Sequence, residues 1–166
     1  MANDMNPDRL FYSELTSPVG PLLLVGDEAA LAGLYMQDQR HQPPLPDGCR
    51  KNDKAFRDAR EQLRAYFAGK LQQFELVLRA SGSAFQARVW RELRKIPFGR
   101  TESYGALASR LGNPNASRAV GLANGRNPIG IIVPCHRVVG ANGSLTGYGG
   151  GIDRKQWLLE HEQRCL

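Results

Sequence analysis

Val133-Pro134-Cys135-His136-Arg137-Val138 sets a cysteine, a histidine and an arginine side by side behind the apolar run Ile131-Ile132-Val133. A thiolate is the strongest nucleophile among ordinary side chains, and adjacent imidazole or cationic groups lower a thiol pKa. Pro134 restricts the backbone and offers no N–H, so the chain leaves a strand-like run in a constrained way. The plain alternative is a cysteine buried after a core strand, a common environment for free Cys.

An imidazole that acts as a base needs an orienting acceptor. Glu160 and Glu162 both stand near the end of the last predicted helix. Glu162 follows Leu158 and Leu159 by four and three residues and shares their inward stripe, whereas Glu160 points elsewhere as a solvated charge. Adjacent side chains on extended chain point apart, so a direct Cys135–His136 contact needs a turn, and a bridging water is the easier geometry. Asn127 precedes Pro128, which disfavours helix there and suits an Asn that ties loops together. Cys49 and Cys165 have no base beside them in sequence and read as incidental thiols.

The elements that must position these groups divide at Ala80-Ser81-Gly82, giving residues 1–81 and 82–166. The first part reads as strands at Leu10–Leu15, Leu22–Val25 and Ala30–Met36, a Pro-rich surface loop from Arg40 to Asn52, a helix from Asp53 to Ala68 stopped by Gly69, and a short strand at Phe74–Leu78. The second part is mostly helical. Ser83 caps a helix through Ile96, Ser103 caps Tyr104–Leu111, and a Gly-containing turn leads to Ala116–Asn124, a spacing that matches helix-turn-helix. Asp153 is expected to cap a last helix to Gln163. The fold class is α+β.

The 166 residues carry a formal net charge of +6. Residues 1–81 hold 10 Lys+Arg and 11 Asp+Glu, a net of −1; residues 82–166 hold 12 and 5, a net of +7. A basic half that carries a reactive cysteine points to a polyanionic partner. Three cysteines without a CxxC exclude a disulfide framework, and His161 with Cys165 makes only two zinc ligands, so no metal is expected. The polar start Met1–Pro7 lacks an apolar h-region, and a reduced, cytoplasmic setting is expected.

Pro134-Cys135-His136-Arg137-Val138 resembles the active-site signature of the O6-alkylguanine-DNA alkyltransferases. Ser103-Tyr104-Gly105, Gly112-Asn113-Pro114, Ser117-Arg118-Ala119-Val120-Gly121, Asn127-Pro128, Gly147-Tyr148-Gly149-Gly150-Gly151 and Trp157–Glu162 also stand where that family has them. The likeness is close from about Phe85 to Glu162 and thin before that. It implies a ribonuclease-H-like N-terminal domain and a winged-helix-like DNA-binding domain. The implied activity is a single irreversible transfer of an alkyl group from O6-alkylguanine in double-stranded DNA to Cys135, without cofactor; O4-alkylthymine as a second substrate and cooperative self-association on DNA stay open. His136, Glu162 and Asn127 are implied as the relay and its supports. Arg118 is implied as a finger replacing the extruded base, with Ser103, Tyr104, Ala119 and Gly121 at the DNA. Pro134, Val138, Tyr148 and Gly149 are implied around the base, and Gly149, where some relatives have serine, suggests a roomier pocket. Rival readings are an alkyltransferase-like lesion binder, against which Cys135 argues, a Cys-His-Glu thiol hydrolase, and a transcription regulator using the helix-turn-helix.

Overall fold

The computed structural model describes residues 9–166. The polar N-terminal segment, Met1–Pro7, lies outside these. Strands β1 (Phe11–Leu15), β2 (Leu22–Gly26) and β3 (Leu31–Met36) form an antiparallel meander. In β2 the side chains of Leu22 and Leu24 are buried and those of Leu23 and Val25 less so, the period-2 alternation of a half-covered sheet. The β1–β2 turn uses Gly20 at φ 95°, and the Gly20 N–H donates to Ser17 O at 3.0 Å. A two-residue strand β4 (Arg50–Lys51) pairs parallel with β1, giving the order β3-β2-β1-β4. The segment expected to be an irregular loop therefore ends as an edge strand.

A 3-10 turn at Asp53–Phe56 leads into helix α1 (Arg57–Phe67), which buries Ala59, Leu63 and Tyr66. Gly69, at φ 75°, closes it. Phe74–Leu78 is not a strand. It touches β3 only by a bridge at Leu78, flanked by hydrogen bonds Leu31 N–Val77 O (2.9 Å) and Arg79 N–Leu31 O (2.8 Å).

Helix α2 (Ala84–Leu93) starts with a capping box formed by Ser83 and Gln86 and ends earlier than Ile96. Strand β5 (Glu102–Ser103) precedes α3 (Tyr104–Arg110), whose N-terminus is capped by Ser103 Oγ, and α4 (Ser117–Gly125) completes the helix-turn-helix. Strand β6 (Val138–Val139) pairs parallel with β5 and fastens the cysteine segment to this unit. Helix α5 (Ile152–Arg164) begins after Gly151 at φ 93°. Asp153 lies inside its first turn, where a carboxylate suits the helix dipole, so it is not the cap expected from sequence.

One core runs through both halves. Leu22, Leu24, Leu34, Leu63 and Tyr66 pack in the same buried cluster as Leu93, Ile96, Ile129 and Leu158. The backbone joins the halves too: Leu34 N donates to Pro128 O at 2.8 Å and Gly130 N to Leu34 O at 3.2 Å.

Candidate active site

The apolar run Ile131-Ile132-Val133 is not a strand. It is a buried succession of turns, with Ile132 N donating to Gly130 O (2.8 Å), Val133 N to Ile129 O (3.0 Å) and Cys135 N to Val133 O (2.8 Å). Ile131 sits at φ 70°, a conformation unfavourable for a β-branched residue and typical of functional sites. Asn127 holds these turns from inside. Its Oδ1 accepts from Ile129 N at 3.0 Å, and its Nδ2 donates to Val133 O at 2.8 Å and to Cys135 Sγ at 3.1 Å. One buried carboxamide thus fixes the loop and touches the sulfur.

Cys135, His136 and Arg137 form a 3-10 turn, and the thiol is 7% exposed. Burial pushes the Cys135 thiol up; the Asn127 hydrogen bond and the Lys155 charge oppose this without reversing it. The sulfur therefore rests as a thiol and needs a base. His136 Nε2 lies 2.6 Å from Glu162 Oε2. Glu162 also accepts from Tyr66 OH (2.7 Å), Gly99 N (2.9 Å), Arg137 Nε (2.9 Å) and Arg137 Nη2 (3.1 Å). Burial pushes the Glu162 carboxyl up, but His136 and Arg137 outweigh it and hold the group well below the usual carboxylate range. An ionised Glu162 can only accept, so His136 Nε2 carries the proton and Nδ1 presents a lone pair. Burial keeps His136 neutral, lowering its pKa against the raising effect of Glu162. A neutral imidazole with a bare Nδ1 is a base ready to take a proton.

Arg137 does not act on the thiol as its sequence position suggested. Its guanidinium is spent on Glu162 and on Ile96 O (2.7 Å). The cation that influences Cys135 is Lys155, buried on α5, whose Nζ donates to Val138 O (2.5 Å) and Thr146 O (2.9 Å). Desolvation lowers its pKa to about 8, against the opposing pull of Cys135. Sequence reasoning missed Lys155, Tyr66 and Asn124, whose Nδ2 donates to Cys135 O at 3.3 Å. The inward stripe of α5 (Lys155, Leu158, Glu162) was the available signal for Lys155. Glu160 is exposed and bonds Gln156 at 3.0 Å.

On the outer face, Arg118 and Ala119 are exposed in the first turn of α4, and Arg118 forms no ion pair among the described residues. A Cβ at Gly121 would sit 3.8 Å from the half-buried Tyr104 ring, whose OH donates to Thr146 O at 3.0 Å. Pro134 and Val138 are buried, and Tyr148 is half-buried in the glycine-rich loop. A cleft of about 700 Å³ separates α4 (Gly121, Leu122, Gly125) from that loop, and Cys135 does not line it. A Cβ at Gly149 would meet Gly125 O at 3.5 Å and Arg40 O at 3.7 Å. Gly149 thus lies against the Gln37–His41 segment, and its carbonyl accepts from Arg40 N at 3.0 Å. Cys165, although without a base beside it in sequence, has His161 Nδ1 at 3.8 Å one helical turn away. Among the described residues no group of three or more His, Cys, Asp or Glu could hold a metal ion.

Two family models match the chain: the DNA-binding domain of 6-O-methylguanine DNA methyltransferase over residues 84–164, and its ribonuclease-like domain over residues 10–80. The methylated-DNA–protein-cysteine methyltransferase of Mycolicibacterium paratuberculosis is 56% identical over 153 residues, covering 92% of each chain. The chain belongs to this family. The methyltransferase of the same name from Methanosarcina acetivorans is 51% identical and covers 94% of this chain and all of that one. Among solved methyltransferase structures, a Mycobacterium tuberculosis OGT in complex with DNA superposes with a TM-score of 0.88 at 51% identity, covering 93% of this chain and 94% of that one. A hyperthermophilic archaeal methyltransferase at 21% identity and TM-score 0.54 shares the fold.

Proposed function

We propose that this protein repairs O6-alkylguanine in double-stranded DNA by moving the alkyl group to Cys135, once per molecule. The observation that carries this reading is a buried thiol beside a neutral histidine whose Nε2–H is committed to an ionised Glu162. The thiol proton passes to His136 Nδ1 through a bridging water. The sulfur then attacks the alkyl carbon, the carbon–oxygen bond breaks, and guanine departs as the leaving group. The product is a thioether, which nothing in the site is equipped to cleave. Residues 82–166 act as the DNA-binding and active-site domain, and residues 1–81 support it. Arg118, with Ala119, Gly121, Ser103 and Tyr104, faces the duplex. Arg118 fills the space left by the extruded base, since a buried O6 atom is reachable only by extrusion. Tyr148, Gly149, Pro134 and Val138 enclose the base.

Three free cysteines and the absence, among the described residues, of any helix long and apolar enough to cross a membrane support a reducing cytoplasmic setting. Intact-protein mass after incubation with a methylated duplex tests the reading. The expected result is a gain of one methyl group per molecule, mapped to Cys135, with Cys135→Ser binding the duplex but gaining nothing. Repeated turnover by the intact protein would establish a hydrolase instead.

A further inference from the structure

A second thiol–imidazole pair lies outside the site of alkyl transfer, in the last turn of α5. Cys165 is half-buried there, and its Sγ lies 3.8 Å from Nδ1 of His161, one helical turn back. His161 is 4% exposed, and its Nε2 lies 2.8 Å from Tyr66 O. A carbonyl oxygen only accepts, so Nε2 carries the proton and, in the neutral ring, Nδ1 presents its lone pair to the sulfur. Among the described residues that lone pair has no other partner. The ring is held in place by its neighbours. Trp157 stacks on it with 4.9 Å between centroids and 13° between planes, and Tyr66 meets it at 5.2 Å and 63°. On another side of the sulfur, a Cβ added at Gly69 would lie 2.8 Å away, so a group joined to Sγ must project away from Gly69.

A thiol loses its proton as it attacks, and in thiol–disulfide exchange the thiolate that leaves must gain one. A fixed imidazole lone pair at the sulfur serves both needs. Cys49 is the internal comparison. It is half-buried as well, yet burial pushes its thiol up, and no imidazole hydrogen-bonds it among the described residues. We propose that Cys165, with His161 as its general base, is a modification site that takes up a small thiol from a low-molecular-weight disulfide. The Cys165 S–H proton moves to His161 Nδ1 while Sγ attacks one sulfur of the disulfide. The S–S bond of the small molecule breaks, the mixed disulfide forms, and the departing thiolate takes the proton from His161. One free thiol is released, and excess thiol reverses the exchange. The step needs neither Cys135 nor DNA.

The test incubates the full-length protein, without DNA, with hydroxyethyl disulfide and follows adduct formation at each cysteine by intact mass and peptide mapping. Cys165 should be modified about tenfold faster than Cys49, a conservative share of what a positioned general base contributes. His161→Gln keeps a donor for Tyr66 O but removes the base. It should slow Cys165 about tenfold and leave Cys49 unchanged, with a melting curve to show that the variant is folded. Wild type supplies a check that needs no variant. Native Cys165 should react faster than the same thiol in the urea-unfolded chain, although half-burial alone would slow it. A native Cys165 no faster than the unfolded one would overturn the proposal, and this comparison decides alone if His161→Gln does not fold. A folded His161→Gln protein whose Cys165 reacts as fast as wild type would overturn it too.

Discussion

Glu162 is the residue on which the site's chemistry and its stability meet. Its two oxygens accept from a tyrosine, a backbone amide, a histidine and an arginine, all at 2.6–3.1 Å. Glu162→Gln would leave the buried Arg137 without its counter-ion and offer His136 an amide where it needs a carboxylate. Removing one partner of a buried pair is expected to destabilise the fold by about 3 kcal/mol as well as slow transfer. Glu160→Gln, on the exposed side, should stay within about 0.5 kcal/mol of wild type. Two buried groups of the site contribute to the pH dependence. His136 is held neutral, so on acidification below about 6.5 the unfolded chain takes up a proton that the folded one refuses, and stability falls. The Glu162 pKa is depressed in the fold, so its contribution is complete above about 4.3 and is lost progressively as pH drops further. Urea unfolding from pH 8 to pH 3 should show a decline that begins near 6.5 and steepens below about 4.3, and the steeper part should shrink in Glu162→Gln, the remainder coming from Asp27, Asp53 and Glu92, whose carboxyls are also lowered in the fold. A variant as acid-sensitive as wild type in the lower window would remove Glu162 from this role.

At the scale of elements, helices were legible in the sequence where apolar spacing and caps agreed: α1, α2 with its Ser83 cap, and the α3–α4 pair. Strand β3 was legible from its β-prone run. The Ile131–Val133 run misled because contiguous apolar residues read alike in a buried strand and in a buried turn. Asn127, through its side-chain bonds, decides between them. Phe74–Leu78 misled for a related reason, since it lies extended against β3 but bridges it at one residue. Glu162 was legible from helix periodicity, whereas the partners that reach it from far along the chain, Tyr66 at 96 residues' separation among them, carry no local signal. Arg137 shows the opposite error: nearness to Cys135 in sequence suggested an electrostatic partner that the 3-10 turn aims elsewhere.

The α4 helix carries the element-level prediction. Arg118 is exposed on its first turn, with small residues Ala119 and Gly121 beside it and Leu122 70% exposed one turn on. Such a face approaches a duplex closely, and one long cation can enter it. Arg118→Ala should leave thermal stability unchanged, because the side chain supports nothing in the fold. It should slow reaction with methylated duplex DNA far more than reaction with the free alkylated base, which needs no extrusion. Equal slowing on both substrates, measured by methyl transfer to Cys135, would remove the finger role.

At the scale of the whole molecule, the charge divides as the chemistry does: the half with a net of −1 carries the meander sheet and α1, and the half with a net of +7 carries the thiol. Yet the halves are not energetically separate. Tyr66 on α1 donates its OH to Glu162 and accepts at its carbonyl from His161 Nε2 at 2.8 Å, so one N-terminal residue holds two consecutive residues of α5. Leu34 on β3 exchanges backbone hydrogen bonds with the turn that leads to Cys135. A chain of residues 82–166 alone would lose these partners, expose Ile129 and Leu158, and leave Glu162 short of a donor. Full-length protein should therefore unfold in one cooperative transition, and the isolated fragment should fail to form a reactive thiol although it keeps Cys135, His136, Glu162 and the helix-turn-helix. Circular dichroism melts and intact mass after incubation with methylated duplex check both statements. A fragment that melts cooperatively and accepts a methyl group at the full-length rate would show that the first 81 residues are dispensable to the chemistry, and that Tyr66 braces the last helix without shaping the relay.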